Sequence, residues 1–173
     1  MADLDSLDTR PEGFQRVAAA LAAQAHPHRP LWLDVAARTA QEAADALGVT
    51  LGQIAKSVVF RVKADGAQDG AVLVITSGDR RVDEAKLKPL TGALGRADAD
   101  FVKARTGFSI GGVSPAGFAP TDGFAAPRLF IDRELFRFDI IWAAAGHPNG
   151  VFKLTPGELE RITGAPVIDV VQA

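Results

Sequence analysis

The sequence predicts an α/β (α+β) protein in which helices pack outside a mixed, strongly curved, barrel-like sheet. Runs rich in β-branched residues alternate irregularly with amphipathic runs, and two of the strand-like runs form a central hairpin. The strict strand–helix alternation of a doubly wound parallel sheet is not seen. With 173 residues, 47% of them hydrophobic, we expect one domain over 1–173, in which 1–30 form an N-terminal helical extension.

The first elements are helices whose ends carry recognisable capping residues. Apolar side chains recur at helical spacing over 11–25, and a short strand is expected at 31–35. Thr39–Glu42 has the pattern of a capping box, and Gly48 occupies the position of a C-terminal cap. The second helix is therefore predicted over 40–47.

The middle of the chain reads as a hairpin followed by two short helices. Residues 57–62 and 71–76 are rich in β-branched side chains, which favour strands. The connection 65–70 contains two Asp-Gly pairs, which favour turns, so the two strands are predicted to pair. Short helices are expected at 83–90 and 100–105.

The last third combines short strands with one capped helix. The predicted strands are 108–110, 128–131, 138–142, 151–154 and 167–171. Thr155–Glu158 is a second capping-box pattern, with proline at the first helical position. Its helix is predicted to end near Gly164.

Composition excludes several classes of function. The formal net charge is −2, which argues against a nucleic-acid coat protein and against DNA binding. The absence of cysteine excludes disulfides, thiolate catalysis and zinc–thiolate sites. His26 and His28 lack an obvious third ligand, so we expect neither metal nor cofactor. No apolar run is long enough to span a membrane, and Met1–Asp5 is unlike a signal peptide, so a cytoplasmic location is expected.

The most informative segment is 107–117, in which an apolar run enters a glycine pair and leaves through Ser114-Pro115. Backbone without side chains can approach a ligand closely, and proline fixes the exit from the loop. The pattern is neither a Walker loop nor a nucleophile elbow. Together with Lys56 and the Gly146-His147 turn, it indicates a pocket for a polar ligand that is built largely from backbone.

Each candidate side chain also has an ordinary structural interpretation. Lys56 is either a surface lysine or a cation that faces a phosphate or carboxylate at a pocket mouth. Asp132 either caps the following turn or pairs with a ligand amine or with Lys56. His147 is a turn residue or a hydrogen-bonding group at the pocket rim. Ser114 has no assignable base, which argues against a nucleophile.

Cations are concentrated between 80 and 105, with acidic residues interspersed among them. They form a mixed, solvated surface unless the fold segregates them, in which case they would follow a phosphate backbone. The cations are Arg80, Arg81, Lys86, Lys88, Arg96, Lys103 and Arg105.

In this order, these elements resemble the YbaK / prolyl-tRNA-synthetase editing-domain (INS-like) family of aminoacyl-tRNA deacylases. The resemblance covers about 39–171 and rests on Ile54–Val58, Thr106–Gly117 and Leu129–Asp132. It implies the YbaK/ProRS-associated domain fold, with Lys56 at the catalytic centre.

The resemblance also implies roles for the remaining candidates. Gly111 and Gly112 would form the catalytic loop that holds the aminoacyl ester, and Asp132 would be the strand-end catalytic aspartate. Substrate contacts would come from Ser114, Pro115, Gly146 and His147. The Gly146-His147-Pro148 turn is similar to alanine-specific members, whereas the Gly111–Pro115 loop is similar to the YbaK branch.

The implied function is hydrolysis of mischarged aminoacyl-tRNA in trans. The expected substrate is tRNA for proline that carries alanine, cysteine, serine, threonine or aminobutyrate, with prolyl-tRNA synthetase as a further partner. An activated ester needs no strong protein nucleophile, because a positioned water or a ribose hydroxyl can attack it while backbone N–H groups stabilise the oxyanion. The alternative is a non-catalytic module that binds tRNA ends or a synthetase.

Overall fold

The computed structural model describes residues 9–65 and 68–173, which form helices packed around one mixed sheet. The helices within these residues are α1 (Glu12–Ala23), α2 (Ala40–Leu47), α3 (Glu84–Thr91), α4 (Ala99–Thr106) and α5 (Pro156–Thr163). The strands are β1 (Leu31–Trp32), β2 (Ile54–Val62), β3 (Gly70–Ser77), β4 (Leu94–Arg96), β5 (Arg128–Asp132), β6 (Ile141–Ala144), β7 (Gly150–Leu154) and β8 (Val167–Ile168). Short 3₁₀ segments cover Leu51–Gln53 and Arg133–Arg137.

The sheet is mixed, as predicted, but it is open rather than barrel-like. Its strand order is β1-β7-β6-β2-β3-β5-β8, with β4 added to β2. Three pairings are parallel, namely β2 with β6, β3 with β5 and β5 with β8, and the others are antiparallel. The terminal strands β1 and β8 have two residues each and do not pair with each other, so the prediction of a barrel-like sheet is wrong.

Both faces of the central strand β3 are buried. Leu73 and Ile75 belong to the main core, whereas Val72 and Val74 belong to a second cluster on the opposite face. Successive side chains of a strand point to opposite faces, so the continuous apolar run of β3 covers both. The sheet is therefore the middle layer of the molecule.

Helix α1 packs directly into the main core. Phe14, Val17 and Leu21 are buried there, at the helical spacing seen in the sequence. A Cβ on Gly13 would lie 2.5 Å from the carbonyl oxygen of Gly146, so only glycine allows this close approach. The contact fixes the turn after β6 against the start of α1.

The capping residues place the helices where the sequence predicted them. The Thr39 hydroxyl accepts from the Glu42 N–H at 3.1 Å, and Gly48 ends α2 with φ +68°. Thr155 and Glu158 form a complete capping box at the start of α5. The predicted hairpin of β2 and β3 is confirmed by eight antiparallel residue pairs, although residues 66 and 67 of its connection lie outside the described part, as does Met1–Asp5.

The strand predicted at 108–110 is instead a loop. The Thr106 hydroxyl accepts from the Phe108 N–H at 3.0 Å, and Gly107 ends α4 with φ +82°. Ile110 is 57% exposed, so the apolar run does not form a strand face. The chain then turns at Gly111, whose φ is +94°.

Several other predicted boundaries shift because neighbouring segments adopt different structure. The strand at 31–35 shortens to two residues, and 138–142 moves to 141–144 after the 3₁₀ segment Arg133–Arg137. The strand at 167–171 is limited to β8, followed by an isolated bridge between Val82 and Val171. The short strand β4 was not predicted.

The pairing of β2 is interrupted on one side. Strand β3 pairs with β2 from Ala55 to Val62, but on the other edge β6 pairs only with 54–55 and β4 only with 60–62. In the described part of the chain, no strand pairs with residues 56–59 on that edge. The interval exposes the middle of a central strand to the exterior of the sheet.

Among the described residues, no helix has the length and apolar character needed to cross a membrane.

Candidate active site

A cavity of about 360 Å³ opens at the unpaired interval of β2. Strand β2 contributes 54–59 to its wall and β6 contributes 142–144. The loop after α4 contributes Ile110, Gly111 and Val113. The volume lies near the lower end of the range of about 300–1,000 Å³ for ligand pockets, so the cavity suits a small chemical group.

Small apolar residues form most of the inner wall. They are Ala37, Ala40, Ala43, Ala55, Ala97, Ala143, Ala144, Val58, Val59, Val102, Val113 and Val151. Such residues leave space by their small size, yet offer few polar groups with which to recognise a side chain. The wall is therefore mainly apolar and leaves room for a small group.

The charged groups of the described lining are both cationic. Lys56 is half-buried in the wall of β2, and Arg38 is exposed beside Gly111. No carboxylate lies among the described lining residues. The cavity is therefore suited to an electronegative group such as an ester oxygen, an oxyanion or a phosphate.

Burial lowers the pKa of Lys56 below its ordinary value. The Arg81 guanidinium lowers this pKa further, and the Asp79 carboxylate opposes both effects. The charged form of Lys56 is thus less stable in the folded protein than in water. A negatively charged oxygen next to the ammonium would offset this loss of solvation.

The glycine loop packs tightly behind the cavity. A Cβ on Gly112 would lie 2.7 Å from the backbone N and Cα atoms of His147. The Gly112 N–H donates to the Ser109 carbonyl at 3.0 Å, so it is already occupied. Gly111 and Val113, rather than Gly112, are the loop residues that line the cavity.

Ser114 and Pro115 are buried behind this loop and do not line the cavity. The Ser114 hydroxyl accepts from the Ala116 N–H at 3.2 Å, which closes a local turn. Neither residue contacts the space that a ligand would occupy, so both act on the site through the loop that they fix.

Asp132 lies outside the cavity, and its two carboxylate oxygens have backbone partners. Oδ2 accepts from the Glu134 N–H at 2.9 Å and Oδ1 from the Val170 N–H at 3.0 Å. The side chain is fully buried. The structure therefore does not bring Asp132 to Lys56, and the cap role considered from sequence accounts for its position.

Gly146 and His147 support the glycine loop from the opposite side. The His147 ring stacks on Trp32 with centroids 4.8 Å apart, and its Nδ1 accepts from the Asn149 N–H. Burial lowers the pKa of His147, and the Arg38 guanidinium lowers it further, so the imidazole is neutral at neutral pH. Neither Gly146 nor His147 is part of the cavity lining.

A second cavity of about 470 Å³ lies near the C-terminus, but its charges are largely paired with each other. Asp169 accepts from Lys86 at 3.1 Å and contacts Arg133 at 3.3 Å, while Arg80 contacts Asp79 at 3.4 Å.

Arg105, one of the cations considered for phosphate binding, is buried against the rings of Phe101 and Phe124. In residues 9–65 and 68–173, no group of three histidines or carboxylates could hold a metal ion.

Comparison with known proteins identifies the family. Residues 34–162 match the family model of the aminoacyl-tRNA editing domain. The chain belongs to this family. The resemblance drawn from Lys56, the glycine loop and the Leu129–Asp132 strand is thereby confirmed.

Relatives of this editing domain occur as separate chains and within synthetases. An uncharacterized protein, YwhH of Bacillus subtilis (strain 168), is 34% identical over 139 residues, which cover 79% of this chain and 83% of YwhH. The proline–tRNA ligase of Nitratidesulfovibrio vulgaris (strain DP4) is 36% identical over 101 residues, which cover 57% of this chain but 16% of the ligase.

A solved structure described as a candidate trans-editing enzyme for prolyl-tRNA synthetase has the same fold. It superposes with a TM-score of 0.83 at 36% identity, covering 95% of this chain and 99% of the other. The open mixed sheet is therefore the sheet of the editing-domain fold.

Two cavity residues were not found by sequence reasoning. Ser57 follows Lys56 on β2, and its buried hydroxyl has no hydrogen-bond partner. Arg38 precedes the capping residue Thr39 and lies at the cavity mouth. A serine in a strand and an arginine before a helix are both common, so only the tertiary arrangement distinguishes them.

We expect Asp132→Asn to lower stability without impairing the site. In the variant the side-chain NH₂ group replaces one of the two oxygens that accept from backbone N–H groups, so one of these donors loses its acceptor. This should lower the free energy of unfolding, measured by urea titration, by roughly 1–3 kcal/mol. Hydrolysis of aminoacyl-tRNA per folded molecule should stay within about twofold of wild type. A large loss of rate at unchanged stability would contradict this structural role.

Proposed function

We propose that this protein is a trans-editing deacylase that hydrolyses the ester of mischarged aminoacyl-tRNA. The observation that carries the proposal is the half-buried Lys56 in a small cavity without carboxylates, within a chain of the editing-domain family. The proposed substrate is tRNA for proline carrying a small non-cognate amino acid. Support for this tRNA comes from the proline–tRNA ligases among the relatives and from the structural neighbour.

In the proposed reaction, water attacks the ester carbonyl carbon and the bond to the ribose oxygen breaks. The tetrahedral intermediate carries a negative oxygen, which the Lys56 ammonium stabilises at the cavity wall. The leaving ribose oxygen takes up a proton, and the products are a free amino acid and uncharged tRNA. Gly111 and Val113 hold the ester against Lys56 by backbone contact.

Selection among amino acids would be steric. The alanine and valine wall admits a small side chain, and a ring or longer chain would contact Ala143 or Val113. Because one methylene in an apolar pocket is worth only about 1–3 kcal/mol, exclusion of larger groups must come from overlap with a rigid wall. Ala55 and Ala143 are held by the β2–β6 pairing, which supplies that rigidity.

A binding module without catalysis is the second candidate. It is favoured by the lining of the cavity, in which the described residues include no carboxylate or imidazole to act as a general base. Such a module would bind the charged end of tRNA or a synthetase. A saturating amount of protein would then leave the half-life of the aminoacyl ester unchanged.

We expect Lys56→Ala to abolish hydrolysis while the fold is retained. Wild-type protein should deacylate tRNA for proline charged with one or two of alanine, cysteine, serine, threonine and aminobutyrate, and should spare prolyl-tRNA. Loss of the ammonium should lower the single-turnover rate by about 100-fold or more. Full activity of Lys56→Ala, with an unchanged circular dichroism spectrum, would refute the role of the lysine.

The rate should fall on the alkaline side as Lys56 loses its proton. Because burial lowers the pKa of Lys56, the midpoint should lie below the free-lysine value of about 10.4. The measurement is kcat/KM against pH, with the uncatalysed rate subtracted at each pH. In Lys56→Arg, any remaining activity should lack this decline, since the guanidinium stays charged. A rate that rises through the same pH interval would instead make neutral Lys56 a base.

A further inference from the structure

Ser57 combines two properties that few residues of a folded chain share. Its Oγ is buried without a hydrogen-bond partner, and the residue lines the cavity beside Lys56. Buried hydroxyls normally find a partner, because leaving one unpaired costs stability. A ligand group in the cavity would supply the partner that the protein does not.

The backbone of Ser57 also faces the interval between β4 and β6. The Gly78 N–H donates to the Ile54 carbonyl at 2.7 Å on the β3 side, and the Lys63 N–H donates to Ala93 at 2.9 Å on the β4 side. Backbone groups alternate in direction along a strand, so those of Ser57 point away from β3. No described strand pairs with Ser57 on that edge. Ser57 therefore offers a backbone carbonyl without a described strand partner as a second acceptor.

The proposed substrate carries one group that needs such acceptors. An aminoacyl ester differs from other esters by its α-amino group, a donor of two or three hydrogen bonds. The described cavity lining contains no carboxylate to receive it, and Thr39, the other hydroxyl of the lining, is engaged with Glu42. Ser57 is the remaining side-chain acceptor among these lining residues.

We propose that Ser57 binds the α-amino group of the aminoacyl ester through its hydroxyl and backbone carbonyl. This inference rests on the proposed function and specifies how the same site recognises its substrate. Lys56 and Ser57 are successive residues of β2, so their side chains point to opposite faces of the sheet at its unpaired edge. The ester oxygen would lie at Lys56 and the α-amino group at Ser57, which would hold the ester carbonyl between the two residues.

The test is a cycle of two proteins and two substrates. Wild type and Ser57→Ala are assayed on alanyl-tRNA and on propionyl-tRNA, which lacks only the α-amino group. We expect Ser57→Ala to lower kcat/KM for alanyl-tRNA by about 10-fold or more and for propionyl-tRNA by less than about twofold. Equal losses on both substrates, or no loss on either, would overturn the proposal.

Thr76→Val is the matched control for removal of a hydroxyl. Thr76 Oγ1 is also buried without a partner, but the residue does not line the cavity. Ser57→Ala should keep or raise the thermal midpoint of wild type, because it removes a buried hydroxyl that has no partner in the protein. The Thr76 variant should likewise keep or raise its thermal midpoint, and it should keep the discrimination between the two substrates.

A binding version of the cycle separates this proposal from the proposed function. Alanyl and propionyl groups linked to the terminal ribose by an amide resist hydrolysis, so their dissociation constants can be measured for both proteins. If wild type hydrolyses neither ester, the deacylase proposal fails. A selective loss of alanyl-analogue affinity in Ser57→Ala would still support the amine contact, and equal affinity losses would exclude it.

Discussion

The site depends on a gap in the pairing along one edge of β2. A long strand paired along its whole length on one side is met on the other by two short strands, β6 at 54–55 and β4 at 60–62. Of the four residues between them, Ser57 and Val59 direct their backbone groups away from β3, to an edge where no described strand pairs with them. A cavity formed in this way has a wall that is held by the full pairing of β2 with β3.

The other parts of the fold hold this opening in place. The glycine loop after α4 closes one side, and its position is set by the contact of Gly112 with the backbone of His147. The turn that carries His147 is in turn fixed by the approach of Gly146 to Gly13 at the start of α1. Within 107–117 and 146–150, the residues Gly112, Ser114, Gly146 and His147 therefore act as supports, whereas Ile110, Gly111, Val113 and Gly150 line the cavity together with residues of β2, β6 and the start of α2.

The chemistry follows from a lysine held in an environment that disfavours its charge. Burial lowers the pKa of Lys56, so the folded protein retains the ammonium at some expense of stability. This loss of stability is consistent with the proposed reaction, in which negative charge develops on the substrate only in the transition state. A positive charge that is already in place can stabilise that oxygen without rearrangement of the protein. The described lining offers no carboxylate or imidazole that could activate a nucleophile, which is compatible with the proposed ester substrate, since an ester of this kind is already activated.

Local features could be predicted from sequence, whereas features that require knowledge of distant neighbours could not. The caps at Thr39 and Thr155, the β2–β3 hairpin and the importance of Lys56 rest on short patterns, and the structure and the family confirm the caps, the hairpin and the resemblance. The run 108–110 has strand composition but finds no partner strand.

The candidate site was predicted only in part for the same reason. A carboxylate at a strand end can cap a turn or face a ligand, and the backbone donors around Asp132, one of them 38 residues away, decide between these. Ser57 is recognisable only when the interval between β4 and β6 is known. Barrel closure likewise depends on β1 and β8, whose two-residue length the sequence pattern overestimated.

The placement of the ester at β2 can be tested by an NMR titration of ¹⁵N-labelled protein with an amide-linked aminoacyl adenosine, which mimics the charged end of tRNA without being hydrolysed. If the interval of β2 is the ester site, the largest shifts should occur at the amides of 55–59, Gly111 and Val113. Shifts centred instead on Lys86, Arg133 and Asp169, around the C-terminal cavity, would contradict this assignment.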